Sequence, residues 1–284
     1  MNKKEFYILI FSIFALVLLA SCSSKKNRPA VVVVPNSNIL QKALIVGVSD
    51  YAGDDNDLGG IDLDANGMKT LFSNWGFDIK ELQNSLTLEQ TLDLYAKTLK
   101  AEDVFIFYYS GHGSFTYDKS GDESDDRDEM IVLSDSTTNL YLLDDKINLM
   151  LNKIKARKLI IFDSCNSGTA TKRALQTKEA GFKAKYIQAP QELKTRAKAS
   201  ITPQTPISGE FLFFAACRDY EQSFATDKGS LFTNAFLKKV NLNKSSTKIH
   251  QETSSLVNTY FNPVLSASNE RLKSLSLKHF LRLN

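Results

Sequence analysis

The chain has 284 residues, of which 43% are hydrophobic and 24% charged, with a formal net charge of +3. Such values are ordinary for a globular protein and admit one large domain or two small ones. The net charge is too small to argue for nucleic acid, no basic stripe with interleaved aromatics is present, and three cysteines exclude a disulfide framework.

Asn2-Lys3-Lys4 is a positive start, and Phe6 to Ala20 is a nearly unbroken apolar stretch. It falls short of the roughly 20 residues of a spanning helix and reads as a secretory signal. Leu19-Ala20-Ser21-Cys22 resembles a bacterial lipoprotein box. That resemblance implies a signal peptide over residues 1–21, cleavage before Cys22, and a lipid on Cys22 that holds the protein in the bacterial cell envelope. The competing reading is an uncleaved N-terminal anchor with a chance cysteine; both put the remainder outside the cytoplasm. Residues 22–40, with Val31 to Val34 between prolines, read as a tether.

The first core strand is expected over Ala43 to Val48, followed by an Asp- and Gly-rich loop from Asp50 to Gly60. Leu63, Met68, Leu71, Phe72 and Trp75 have helical spacing, so a helix is expected from Asp62 to Trp75, ended by Gly76. A short strand over 77–82 and a helix over 88–100, capped by Thr87, come next. Asp103 to Ser110 is a strand buried on both faces that runs into Gly111-His112-Gly113. Residues 117–129 are strongly acidic; 130–133 reads as a strand and 143–154 as a helix. Lys158 to Phe162 repeats the buried-strand design and stops at Asp163-Ser164-Cys165. Residues 169–209 form a basic flexible linker with eight basic residues, Lys172, Arg173, Lys178, Lys183, Lys185, Lys194, Arg196 and Lys198, and no sustained apolar face. A strand over 211–216, helices over 231–240 and 254–261, and a last strand over 274–283 complete the chain. Alternating strands and helices predict an α/β fold, with a mainly parallel sheet and helices on both faces.

Buried parallel strands deliver their last side chains to the C-terminal edge of the sheet, where ligands of open α/β sheets bind. Cys165 is therefore expected at the mouth of a cleft. A cysteine nucleophile acts as its thiolate, which a free thiol with a pKa near 8.5 supplies poorly; a neighbouring imidazole can take the proton and return it to a leaving amine. Of the three histidines, only His112 follows a buried strand between glycines, whereas His250 and His279 do not. Cys217, just after an apolar strand, reads as a small buried hydrophobe.

Ser110-Gly-His-Gly113 and Asp163-Ser-Cys-Asn-Ser-Gly168 resemble the two catalytic motifs of metacaspases and bacterial caspase-like peptidases. The histidine precedes the cysteine by roughly 50 residues, as in caspases, although the caspase Gln-Ala-Cys-x-Gly signature is absent. The resemblance covers Ala43 to the C-terminus and implies a caspase-like three-layer sandwich over residues 41–284. It implies a cysteine endopeptidase with a His112–Cys165 dyad, no third triad member, and the backbone N–H groups of Gly113 and Cys165 as oxyanion donors. Asp163, Ser110 and Asp64 match pocket residues that select Arg or Lys at P1; for Asp64 a solvated helix position is a competing reading. Asp128 and the Asp144-Asp145 pair match calcium ligands, with Lys172 standing where a further aspartate is expected. No cofactor is required, and calcium is the one ion implied. The expected partners are peptide or protein substrates with a basic P1 residue, acted on by a monomer held at the membrane through Cys22. An Arg/Lys-specific enzyme with such a linker is expected to cut itself between Lys172 and Lys198. The alternatives are a catalytically silent caspase-like lipoprotein acting as a binding scaffold, and a non-peptidase acyl transferase using the same dyad.

Overall fold

The computed structural model describes residues 39–117, 127–165, 181–195 and 206–283. The leader, Cys22, the valine run, residues 118–126 of the acidic stretch, residues 166–168 of the cysteine motif, and residues 169–180 and 196–205 of the linker lie outside the described residues.

Six strands form the central sheet in the order β11-β9-β7-β3-β1-β2. They are β1 (Gln41–Gly47), β2 (Asp78–Gln83), β3 (Val104–Ser110), β7 (Arg157–Asp163), β9 (Phe211–Ala215) and β11 (Val264–Ala267). All neighbours are parallel except β11, which runs antiparallel to β9. Every residue of β3 is buried. That is the pattern of a strand covered on both faces, and it explains the unbroken apolar run.

Side chains alternate across the sheet and feed two cores. Ala43, Ile45, Ile106, Tyr108, Leu159 and Ile161 face α1 (Ile61–Asn74), α5 (Leu231–Lys239) and α6 (Ser246–Val257). Leu44, Val46, Phe105, Phe107, Tyr109 and Ile160 face α2 (Leu88–Thr98) and α3 (Asp144–Lys153). The result is the expected three-layer α/β sandwich.

A second sheet joins β4 (Gly113–Tyr117), β5 (Arg127–Ser134) and β6 (Asn139–Leu143) in antiparallel order. It grows directly out of the His112 motif. A third pairs β8 (Lys183–Ala184) with β10 (Phe224–Ala225), antiparallel. Between them in sequence lies the short helix α4 (Gln191–Thr195).

Three local expectations are corrected. The segment 274–283 is not a strand: α7 (Glu270–Ser274) and α8 (Leu277–Phe280) occupy that end. There the Ser276 hydroxyl accepts the N–H of His279, a helix cap that overrides the Leu alternation. The helix expected at 254–261 lies earlier, at Ser246–Val257, because Ser245 caps it through the N–H of Lys248. Thr87 stands at the start of α2 without a side-chain cap bond; its hydroxyl pairs with Ser85 at 2.8 Å. Among the described residues no helix is long and apolar enough to cross a membrane.

Candidate active site

Register sets the site. Ser110, the last residue of β3, pairs directly with Asp163, the last of β7. His112 and Cys165 each lie two residues further on, so both motifs leave the sheet at the same level. Gly111 must be glycine here: a Cβ would stand 2.7 Å from the hydroxyls of both Tyr109 and Tyr51.

His112 is fully enclosed. Its backbone N–H donates to the Tyr51 hydroxyl at 2.7 Å, and the Tyr51 ring lies 4.6 Å from the imidazole. Its carbonyl accepts the Tyr109 hydroxyl at 2.6 Å. Nε2 lies 2.7 Å from the carbonyl oxygen of Asn56, in the 3₁₀ turn Asp54–Asn56. A carbonyl can only accept, so Nε2 carries the proton and the neutral ring has its lone pair on Nδ1. Nδ1 is buried and has no hydrogen-bond partner among the described residues. Burial pushes the ring's pKa down to about 4, against the pull of the Asn56 carbonyl. The imidazole is therefore neutral at pH 7, as a proton acceptor must be.

Cys165 is 0% exposed, not at the open mouth of a cleft. Its thiol donates to the Glu221 carbonyl at 3.0 Å. The Cys217 sulfur shares that carbonyl at 3.5 Å and hydrogen-bonds Cys165, which, ahead of its own burial, holds the Cys217 thiol well above its usual pKa. Cys217 is thus buried as expected, yet it is also a neighbour of the candidate nucleophile. No hydrogen bond joins Cys165 to Nδ1 of His112.

The cover over His112 and Cys165 is a segment of the chain itself, within the expected linker. Residues 183–184 pair with β10, and the Lys185 N–H donates to the Ser223 carbonyl at 3.0 Å. Lys185 is fully buried, and its ammonium has three acceptors: the Ser110 hydroxyl at 2.8 Å, the Asp163 carbonyl at 2.9 Å and the Asp163 carboxylate at 3.0 Å. That saturates its three donors. Asp64 stands 3.8 Å from the same nitrogen.

The structure therefore brings Asp163, Ser110 and Asp64 into one dry pocket. Asp64 is 1% exposed, which overturns the solvated-helix reading. Burial raises its pKa; the Lys185 charge opposes this, and the neighbouring Asp163 adds to it. Asp64 accepts the N–H of Ser230 at 2.8 Å, the Ser230 hydroxyl, and the Ser110 hydroxyl at 3.0 Å. Asp163 accepts the Ser223 hydroxyl at 2.7 Å, and the Thr233 N–H and hydroxyl at 3.1 and 2.7 Å. Ser230 and Thr233 bracket the first turn of α5, so an otherwise unpaired helix N–H group braces each carboxylate. Gly229 permits the close approach: its φ is +92°, and a Cβ would lie 2.8 Å from Asp64.

The Gly113 N–H, the expected oxyanion donor, points at the Lys185 carbonyl at 2.9 Å. Asp128, Asp144 and Asp145 fall at the junction of β5, β6 and α3. Among the described residues no group of three or more His, Cys, Asp or Glu converges as metal ligands do. Residues 118–126 of the acidic run, and Lys172, lie outside the described residues.

Sequence reasoning did not find Tyr51, Asn56, Ser223, Ser230 or Thr233, and it counted Lys185 only as one basic residue among eight. Asn56 acts through its carbonyl, which carries no residue signature. The hydroxyl residues are drawn in by tertiary contact; Ser230 ahead of an apolar helix is the one readable sign, as a cap candidate.

A family model described as the caspase domain of peptidase family C14 matches residues 40–275. Metacaspase-1 of Scheffersomyces stipitis is 31% identical over 147 residues, covering 46% of this chain and 36% of the relative. Metacaspase-1A of Aspergillus terreus is 33% identical over 147 residues, with the same coverage. The chain thus spans about a third of the length of these curated relatives. Among solved structures, protein GSU0716 from Geobacter sulfurreducens superposes with a TM-score of 0.64 at 22% identity, covering 83% of this chain and 97% of that one. Caspase-1 from Spodoptera frugiperda gives a TM-score of 0.52 at 13% identity, covering 80% and 86%. At such identities the structural likeness concerns the fold.

Proposed function

The chain belongs to the caspase-domain peptidase family, and from that premise we propose that it is a cysteine endopeptidase that cuts after Lys or Arg through a His112–Cys165 dyad. The observation that carries the reading is a lysine ammonium seated between Asp163 and Asp64, with the same residue's carbonyl on the Gly113 N–H. A pocket that neutralises and saturates one buried cation suits a basic P1 side chain and would leave an acidic one facing two carboxylates.

The proposed chemistry uses groups already in place. Rotation of the Cys165 side chain away from the Glu221 carbonyl brings its proton to Nδ1 of His112, the vacant site of a ring held by Asn56. The thiolate adds to the P1 carbonyl carbon, and the oxyanion is held by the Gly113 N–H, with the Cys165 amide as second donor. The C–N bond then breaks and His112 protonates the departing amine. Water, deprotonated by the same imidazole, hydrolyses the thioester and restores the thiol. No cofactor takes part in these steps.

The protein is proposed to act on peptide or protein substrates as a monomer, to process its own linker, and to be lipid-anchored through Cys22 in the bacterial envelope. The leader composition supports the last point. The scaffold alternative draws on the burial of Cys165. Yet the cover is a segment of the chain itself, and a silent fold would have no use for a buried imidazole nitrogen left without a partner among the described residues.

The test is a fluorogenic peptide panel. Hydrolysis at P1 Arg and Lys, absent at P1 Asp and lost by at least about 10³-fold in Cys165→Ala, is expected. Preference for P1 Asp, or activity that survives Cys165→Ala, would overturn the reading.

A further inference from the structure

Residues 183–188 cross the site as an extended strand whose contacts are those of a substrate. On one side, Ala184 pairs with Phe224 and Lys183 with Ala225, and the Lys185 N–H reaches the Ser223 carbonyl. On the other, the Ile187 N–H donates to the Gly113 carbonyl at 3.1 Å, and Tyr186 bridges Gly113 in parallel. Main-chain pairing of this kind is how an extended peptide is taken up at a sheet edge. Between the two sets of bonds, the Lys185 carbonyl sits on the Gly113 N–H and the Lys185 side chain fills the carboxylate pocket. The bond from Lys185 to Tyr186 is therefore the one laid across His112 and Cys165.

We propose that Lys185–Tyr186 is the processing site of this protein, and that residues 183–187 are a tethered first substrate which closes the groove until that bond is cut. The inference rests on the peptidase reading and deepens it. Of the eight basic residues in the linker, it selects one. Lys194 lies beyond the groove in α4, and Lys183, two residues before Lys185, reaches out of the pocket to the carbonyls of Asp55 and Asp57 at 2.6 and 2.5 Å. That contact also defines a subsite, because those carbonyls flank Asn56, whose own carbonyl holds His112. Tyr186 stacks on Phe115 with ring centres 6.0 Å apart. The tethered segment thus describes the substrate class as well: basic at P3, small at P2, Lys at P1 and aromatic at P1′.

Cleavage balances within the chain. The Sγ–C bond forms at Lys185 as the Lys185–Tyr186 C–N bond breaks; the Cys165 proton passes through His112 to the Tyr186 amine. Water then returns Lys185 as a free carboxylate and Cys165 as a thiol. With the peptide bond gone, each half keeps only its own side of the pairing, and the groove opens.

The experiment follows purified full-length chain by intact mass and N-terminal sequencing, alongside hydrolysis of the heptapeptide Phe-Lys-Ala-Lys-Tyr-Ile-Gln. Wild type is expected to accumulate a fragment beginning at Tyr186, to show a lag of peptide hydrolysis matching that fragment's appearance, and to cut the peptide between Lys and Tyr. Cys165→Ala is expected to stay whole. Lys185→Gln, whose neutral amide gives up the ion pairs with Asp163 and Asp64 that seat the segment, is expected to release the groove uncut and so to lose the Tyr186 terminus and the lag together. Because the wild-type termini are read directly, a Lys185→Gln chain that failed to fold would not spare the proposal. Peptide hydrolysis without a Tyr186 terminus, or a first cut at another basic residue, overturns the processing site while leaving the peptidase reading standing. No hydrolysis of any basic peptide by any variant overturns both.

Discussion

The pocket and the dyad sit at the ends of the same two strands, yet they are finished to different degrees. In the pocket every strong group is matched. The Lys185 ammonium has three acceptors, and the Asp163 carboxylate takes four donors from Lys185, Ser223 and Thr233. Between the proposed dyad residues no hydrogen bond is made: the Cys165 thiol donates to the Glu221 carbonyl, and Nδ1 of His112 has no hydrogen-bond partner among the described residues.

Breaking the finished half is expected to cost most. Asp163→Asn leaves the Lys185 cation without its near counter-charge in a dry pocket, and removing one partner of a buried pair costs about 3–5 kcal/mol. Denaturant unfolding should register that loss, together with a fall in turnover of P1 Lys peptides. Asp64→Asn should cost less, since its oxygen stands 3.8 Å from the ammonium against 3.0 Å for Asp163. Equal losses would show that the two carboxylates share the cation evenly.

The unfinished half is expected to respond to pH. His112 titrates near 6.5 in an unfolded chain and about 4 in the fold, through burial. The unfolded state therefore binds more protons across that window. The stability tied to a neutral ring is complete above about 6.5 and is lost as pH falls toward 4. Between pH 7 and pH 5 the loss should be about 2 kcal/mol. Unfolding midpoints measured at the two values should differ by this much more in wild type than in His112→Gln; identical pH dependence would show that the ring is not buried neutral.

The strands that carry both halves were legible because parallel strands covered on two faces need continuous apolar runs, as in β3 and β7. Turn residues marked where those runs stop, which located His112, Cys165 and Asp163. What was not legible was long-range. Lys185 meets Asp64 and Asp163 only because β8 docks on β10, a two-residue pairing with no periodicity to read. The helix expected over 254–261 and the strand expected over 274–283 were misplaced for a related reason: the hydroxyls of Ser245 and Ser276 cap helices at those points, and at the second the cap outweighs a Leu pattern. β4 and β6 are edge strands of only five residues each, too short to show a clear alternation.

A smaller effect separates the frame of the histidine from its chemistry. Tyr51→Phe removes the acceptor of the His112 N–H, and a buried unpaired N–H costs about 1–2 kcal/mol. Thermal unfolding should drop accordingly while Cys165 stays reactive. Loss of reactivity with unchanged stability would instead assign Tyr51 a part in the chemistry.

The most direct test of the central claim is covalent. Lys185→Gln protein would be treated with a peptide carrying a thiol-reactive group after a P1 Lys, and the adduct located by peptide mass mapping. The account predicts one adduct, on Cys165, suppressed by excess P1 Lys peptide and absent with a P1 Asp probe. An unmodified Cys165, or equal labelling by the acidic probe, would contradict it.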